Sequence, residues 1–238
     1  MAYALDMKKN IAALLLSLLV LSSCQVTENL EIASDGAGNS VTEIHVEDFF
    51  ITVLSDFSEF LPESDTSIMD GAIDGYIKSL ENASAVSNPE WESLGGNNYK
   101  VEFSFASIAS LLSDMGAENQ SIFTLTDNSI AFSLDINNYP ELKSIVPFLA
   151  DPNFEVYGPE YNQGMSEADY LDMIYFLLGE EGPEAVTNGT VEVLLTVPGT
   201  ITETKGCTAI NGNTASFEFP IIDFLLLNTP LSFSIVWQ

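Results

Sequence analysis

The sequence has 238 residues, with 35 acidic residues, six lysines, no arginine and one histidine, which gives a net charge of −29. Nucleic-acid binding is excluded because it requires a basic patch that neutralises phosphates. Attraction to anionic lipid through a polybasic segment is excluded for the same reason. The chain is 46% hydrophobic, with aromatic residues spread along it, so it does not have the composition of a disordered acidic segment.

The N-terminal segment has the three parts of a secretory signal peptide. Lys8 and Lys9 form a cationic head, residues 11–21 form an apolar body, and small residues follow up to Cys24. An apolar run of this length is too short for a transmembrane helix, which needs about 20 residues. The alternatives are an ordinary signal peptide with a free cysteine and a segment that prepares Cys24 for modification.

The exit of this segment, Leu21-Ser22-Ser23-Cys24, resembles the lipobox of bacterial lipoproteins. The resemblance implies cleavage between Ser23 and Cys24 and acyl chains, such as palmitate, on Cys24. One acyl chain gives only marginal membrane binding, so several chains on one residue would anchor the protein without help from the polypeptide. Gln25 is not the Asp that retains lipoproteins at the inner membrane, which implies outer-membrane delivery in a cell that has one.

The chain after the signal peptide is strongly acidic. Residues 24–238 contain 34 acidic residues and four lysines, a net charge of −30. Such a charge favours solubility, and a salty habitat is a further interpretation. Cys207 would be the one remaining free thiol, so no intramolecular disulfide is possible. We interpret Cys207 as a small buried hydrophobic residue, with a reactive thiol as the alternative.

Alternating apolar residues and turn signals predict strands along most of the chain. Helical periodicity predicts helices in the segments that start at Asp65, Ser107 and Ser166, the last with Ser166 as N-cap and Gly179 after its end. Gly71 and Gly75 in the first helix predict close packing against a sheet. The predicted hairpins lie at residues 26–50, 91–107, 121–136 and 190–220, and the last strand lies at residues 231–238.

These elements predict a single extracytoplasmic α+β domain over residues 24–238, with an antiparallel β-sheet and about three packed helices. Pro198-Gly199 and Asn211-Gly212 each predict a tight hairpin turn. The proline-punctuated stretch of residues 139–164 predicts an irregular lid, linker or insertion.

Several short motifs resemble the LppM-type envelope lipoprotein domains. They are the turn with Asp35, Gly36 and Gly38, the Phe103 and Phe105 strand, and the hairpin with Pro198, Gly199 and Ile201. Lys205-Gly206 stands where an Asn-Gly would be expected. The resemblance implies a cell-envelope domain and assigns no catalytic residues.

One pattern offers metal ligands. Glu43, His45 and Glu47 alternate along a predicted strand, so the three side chains share one face. Residues two apart on a strand are nearly 7 Å apart, which is awkward for one small ion. We therefore interpret the pattern as the polar face of a strand and predict no metal site and no cofactor.

The aromatic residues around residues 157–176 allow two interpretations, a core cluster or an apolar ligand site under a movable flap. They are Tyr157, Tyr161, Tyr170, Tyr175 and Phe176. No nucleophile, phosphate-binding or dinucleotide motif is present, so we predict no enzymatic activity. The favoured function is a non-catalytic, membrane-anchored lipoprotein that binds a protein partner or an apolar ligand. The alternatives are a Ca²⁺-dependent surface adhesin and a glycan hydrolase with paired carboxylates.

The first predicted strand begins within a few residues of Cys24. Because n residues span at most about 3.6 Å × n, the domain would lie close to the lipid headgroups. An acidic face against an anionic leaflet would be unfavourable. We therefore expect few acidic residues around Val26.

Overall fold

A computed structural model of the protein describes residues 25–48, 51, 68–114, 116–145, 149 and 155–238. The predicted signal peptide and Cys24 lie outside these residues. Within the described part the chain forms eleven strands and six helices. The strands are β1 (Gln25–Ile32), β2 (Gly38–His45), β3 (Val86–Gly95), β4 (Asn98–Phe105), β5 (Phe123–Thr126), β6 (Ser129–Leu134), β7 (Thr190–Thr196), β8 (Ile201–Lys205), β9 (Ala209–Asn211), β10 (Thr214–Pro220) and β11 (Leu231–Trp237).

The helices are short. They are α1 (Ile68–Glu81), α2 (Ile108–Asp114), α3 (Tyr139–Ile145), α4 (Glu167–Leu178), α5 (Gly182–Asn188) and α6 (Ile221–Leu226). The three predicted helices correspond to α1, α2 and α4. Ser166 caps α4 by accepting a hydrogen bond from the Asp169 backbone N–H at 3.2 Å, and Gly179 follows its end with φ +85°. None of the helices in the described residues is long and apolar enough to cross a bilayer.

Seven strands form the larger sheet, in the order β3-β4-β2-β1-β7-β10-β9. Neighbouring strands are antiparallel except at the centre, where β1 runs parallel to β7. Four strands form the smaller sheet, in the order β5-β6-β11-β8. Four of the predicted hairpins are present, namely β1–β2, β3–β4, β5–β6 and β9–β10.

The predicted fold class, α+β on one antiparallel sheet with about three helices, is wrong. The described chain is mostly β, with a mixed sheet, a second sheet and only small helices. The reason is the long-range pairing of β1 with β7, which aligns Val26 with Val191 and Leu30 with Leu195 and so gives the sheet one apolar face. Hairpin signals predict only the pairing of strands that are neighbours in sequence, so they could not predict the pairing of β1 with β7.

The core lies between the apolar face of the large sheet and the elements that cover it. Tyr99, Val101, Phe103 and Phe105 of β4 are buried on this face, in one core cluster with α1 residues. The two sheets meet through aromatic rings, with the Phe217 and Phe233 centroids 4.8 Å apart. The α1 residues of this cluster are Met69, Ile73, Ile77 and Leu80.

The opposite face of the large sheet is polar and acidic. The register places Thr27 between Glu43 of β2 and Glu192 of β7. A further acidic residue follows on one side, where Glu218 lies opposite Glu192, whereas on the other side Glu43 lies opposite Lys100. The large sheet therefore separates an apolar interior from a row of carboxylates.

Candidate functional site

Strand β1 begins at Gln25, the residue directly after the predicted lipidation site. Gln25 pairs with His45 on one side and with Thr190 on the other. The expectation that the first strand starts within a few residues of Cys24 is confirmed. Ser23 and Cys24 themselves lie outside the described residues, so cleavage and lipidation stay predictions.

The expectation of few acidic residues around Val26 is wrong. The neighbouring Thr27 lies between Glu43 and Glu192 on the polar face, and Glu28 lies between Thr42 and Val193 on the apolar face. The alternation of a strand brings acidic residues to both sides of Val26. This end of the sheet is therefore negatively charged.

The candidate metal ligands do not converge. The Nδ1 atom of His45 is 2.9 Å from the Asn98 Oδ1 atom, and its Nε2 atom is 3.6 Å from the Glu47 Oε1 atom. Strand β2 ends at His45, so Glu47 lies beyond the strand and the predicted alternation is broken. Among the described residues, no three His, Cys, Asp or Glu side chains are arranged to hold a metal ion.

Two carboxyl groups are in contact on the polar face of the large sheet. Glu90 and Glu102 share a hydrogen bond, which raises the pKa of Glu90. Hydrogen bonding to Lys100, whose Nζ atom is 2.5 Å from Glu102, lowers the pKa of Glu102. The pair lies in a shallow depression of about 360 Å³, lined also by Asn29, Glu31, Asn39, Val41, Asn88 and Ser104.

Glycoside hydrolases hold their two carboxyl groups at least about 5 Å apart, so that a sugar or a water molecule fits between them. The direct hydrogen bond between Glu90 and Glu102 leaves no such space. This pair therefore does not match either geometry of that reaction.

Glu28 is a carboxylate on the apolar side of the large sheet. It accepts hydrogen bonds from the Ser40 hydroxyl at 2.7 Å and the Thr42 hydroxyl at 2.5 Å. Burial raises the pKa of Glu28 despite these two hydrogen bonds. Burial also raises the pKa of Tyr76 on α1 to about 12, with a smaller contribution from the charge of Glu28. The sequence contained a signal for this buried position, because Glu28 alternates with the apolar residues Val26, Leu30 and Ile32.

The aromatic residues around α4 divide into two groups. Tyr170 is fully buried and its hydroxyl donates to the Tyr157 carbonyl at 2.9 Å, as the core interpretation predicted. Tyr161, Tyr175 and Phe176 are instead 66%, 52% and 85% exposed, so that interpretation is wrong for them. Part of the predicted flap, residues 146–148 and 150–154, lies outside the described residues.

Polar contacts join the described residues of the irregular stretch to one another. The Lys143 Nζ atom on α3 is 2.8 Å from Glu155 and 2.6 Å from Glu160. The buried Asn162 donates its side-chain N–H groups to the Val156 and Gly158 carbonyls. Residues 139–145, predicted as irregular, form α3. An apolar ligand beneath this stretch stays a prediction.

Cys207 is half-buried and packs against the core that joins the two sheets. Burial raises the pKa of the Cys207 thiol, which reduces the fraction present as the reactive thiolate. This agrees with the interpretation of Cys207 as a packing residue.

No protein-family model matches this chain. No curated protein matches it either. Among solved structures, the NMR structure of the folded domain of the Mycobacterium tuberculosis LppM protein is similar, with a TM-score of 0.39 and 10% sequence identity. The match covers 91% of this chain and 90% of that one.

Proposed function

We propose that this chain is a lipid-anchored protein of the bacterial cell envelope, held to the membrane through Cys24, whose folded part binds a protein partner without catalysing a reaction. The lipobox-like residues Leu21 to Cys24 support the anchor. The exposed aromatic residues of α4 support a binding role, because large contiguous apolar patches on a protein surface mark interaction sites.

The observation that carries this proposal is the position of β1. Its first residue, Gln25, is paired on both sides, so no flexible tether separates the fold from residue 24. A lipid on Cys24 would hold this end of the sheet within a few ångströms of the membrane surface. The partner would therefore be met close to the membrane. Gln25 in place of Asp supports the outer membrane as that location.

A non-catalytic role is supported by the contacts of the histidine and the carboxyl groups that could act as catalytic residues. The His45 ring contacts Asn98 and Glu47, and the contacting carboxyl pair, Glu90 and Glu102, is too close for glycoside hydrolysis. An apolar ligand in place of a protein partner is the second candidate. Native mass spectrometry of the purified protein would reveal such a ligand as added mass.

The anchor is tested by replacing Cys24 with Ser and fractionating the cells. We expect Cys24→Ser to abolish incorporation of a labelled fatty acid and to release the protein from the membrane fraction. Cys207→Ser is the matched control, because it removes the other cysteine and should leave both properties unchanged. Normal processing and membrane retention of Cys24→Ser would contradict the proposal.

A further inference from the structure

Three consecutive apolar side chains are exposed at the C-terminal end of α4. Tyr175 is 52% exposed, Phe176 is 85% exposed and Leu177 is 41% exposed. We call these three residues the α4 tip. Isolated exposed apolar residues are ordinary, but three in succession place apolar surface around more than half of the helix circumference. The tip is therefore a patch and not one stray side chain.

The α4 tip is held on a rigid support. Tyr170 and Ile174 of α4 are fully buried, which fixes the helix against the core. After Gly179 the chain returns against the same helix, where a Cβ atom on Gly182 would lie 2.9 Å from Ile174 and 3.0 Å from Leu178. A preformed surface of this kind loses little conformational entropy when a partner binds.

Acidic side chains surround the α4 tip. Asp172 lies one turn before Phe176 on α4, and Glu180, Glu181 and Glu184 follow it. All four are exposed, and none of them has an ion-pair partner among the described residues. Two of the four lysines after residue 23, Lys100 and Lys143, form ion pairs with other glutamates. The tip is thus an apolar centre with an uncompensated negative rim.

The charge of the rim decides between possible occupants. A second copy of this chain would bring the same acids and a net charge of −30 after residue 23, so it would be repelled. An anionic bilayer surface would be repelled as well. A protein segment that carries Lys or Arg beside apolar side chains would be attracted by the rim. It would also place cations over the rings of Tyr175 and Phe176.

We propose that the α4 tip is the docking site for a basic, amphipathic segment of a protein partner. This inference rests on the proposed function, since it names the chemistry of the partner. Helix α5 leads from the tip towards the anchored end. Gly182, its first residue, packs on α4, and Thr190, two residues beyond its end, pairs with Gln25. Seven helical residues span about 10 Å, so the partner docks near the membrane-proximal end of the sheet.

The test uses the chain with Cys24→Ser and a defined probe, a synthetic amphipathic helix composed of Lys and Leu. Binding is measured by isothermal titration calorimetry as a function of salt. We expect Phe176→Ser to weaken binding about tenfold, because an exposed aromatic anchor at the centre of an interface typically contributes more than 1 kcal/mol. Leu94→Ser is the matched control, since Leu94 is 53% exposed on edge strand β3, and it should change affinity less than about twofold.

The rim is tested separately with Glu180→Gln and Glu181→Gln together. We expect this pair to reduce the salt dependence of binding, and Glu31→Gln with Glu203→Gln, two exposed acids elsewhere, to reduce it less. Equal melting temperatures of all variants establish that the fold is unchanged.

The proposal is overturned if the probe binds Phe176→Ser as well as the unsubstituted tip, since charge alone would then explain binding. It is also overturned if a Glu-Leu helix or phosphatidylglycerol vesicles bind the tip equally well. The readout here is peptide binding and not membrane retention, so a failure of this inference is distinguishable from a failure of the Cys24→Ser fractionation.

Discussion

Glu28 illustrates a conflict between the pattern of a strand and its chemistry. The residue alternates with Val26 and Leu30, so the pairing of β1 with β7 directs its carboxylate into the apolar side of the sheet. The hydroxyls of Ser40 and Thr42 stabilise the charge, but burial is the larger effect and the pKa of Glu28 is raised. The ionised form is therefore unfavourable in the folded protein relative to water.

We expect Glu28→Gln to raise the melting temperature near neutral pH. A pKa that is higher in the folded than in the unfolded state contributes stability that is complete below the unfolded pKa. This stability is lost as the pH rises through the folded pKa. The gain from Glu28→Gln should therefore shrink as the pH is lowered towards about 4.

The matched control is Glu31→Gln, an exposed acid on the polar face of the same strand, which should change the melting temperature little near neutral pH. If Glu28→Gln is less stable than the original protein near neutral pH, the hydrogen bonds from Ser40 and Thr42 outweigh the cost of burial.

At the scale of elements, the helix signals predicted where the helices lie in the sequence better than they predicted how individual helix residues pack. Helix α1 forms where its periodicity placed it, and its apolar residues Ile73, Ile77 and Leu80 are buried. The interpretation of Gly71 as a close-packing residue is wrong, because a Cβ atom there would have no atom of the described residues within 4 Å. Gly38 on β2 is the opposite case, since a Cβ atom there would lie 2.2 Å from the Glu31 carbonyl.

We expect Gly71→Ala to stabilise the protein by about 0.5–1 kcal/mol, because alanine is the better helix former and the space is open. Gly38→Ala, the same change at a filled position, should destabilise it by about 1–3 kcal/mol. Urea denaturation of both variants measures these differences. A loss of stability in Gly71→Ala would show that this position is more crowded in solution than in the structure.

The turn at Pro198-Gly199 was predicted at the correct position, but the strands that it connects were predicted wrongly. It was predicted to close a hairpin, and it instead carries the chain from β7 of the large sheet to β8 of the small one. Both edges of β7 are already paired, with β1 and with β10, so β8 cannot pair there. By contrast, Asn211-Gly212 does close the hairpin of β9 and β10, because β10 has a free edge on that side.

On the scale of the whole molecule, charge is the dominant feature. Residues 24–238 carry a net charge of −30, so their acidic side chains repel one another. The paired strands place three of these acids, Glu43, Glu192 and Glu218, in one row of the polar face. Salt screens such exposed charges, with a Debye length that falls from about 30 Å at 0.01 M to about 3 Å at 1 M.

We expect the melting temperature to rise steadily with added NaCl for this reason. At equal ionic strength CaCl₂ should add little beyond NaCl, since the described acids are not grouped as a metal site. Differential scanning fluorimetry checks both outcomes. A large additional stabilisation by Ca²⁺ would favour the alternative of a Ca²⁺-dependent adhesin.

The sequence by itself determined what depends on neighbours along the chain. It predicted four hairpins, the helices α1, α2 and α4, the cap at Ser166, and the start of the first strand within a few residues of Cys24. These features follow from turn chemistry and from hydrophobic periodicity, which are local properties.

The tertiary structure alone decided what depends on residues far apart in sequence. The parallel pairing of β1 with β7 joins residues that are more than 160 positions apart, and it produces the mixed sheet, the burial of Glu28 and the acids around Val26. Likewise, Tyr170 and Phe176 have the same aromatic character, yet the return of the chain at Gly182 covers one side of α4 and leaves the tip exposed. Burial is a property of the packed whole, so no local pattern could assign it.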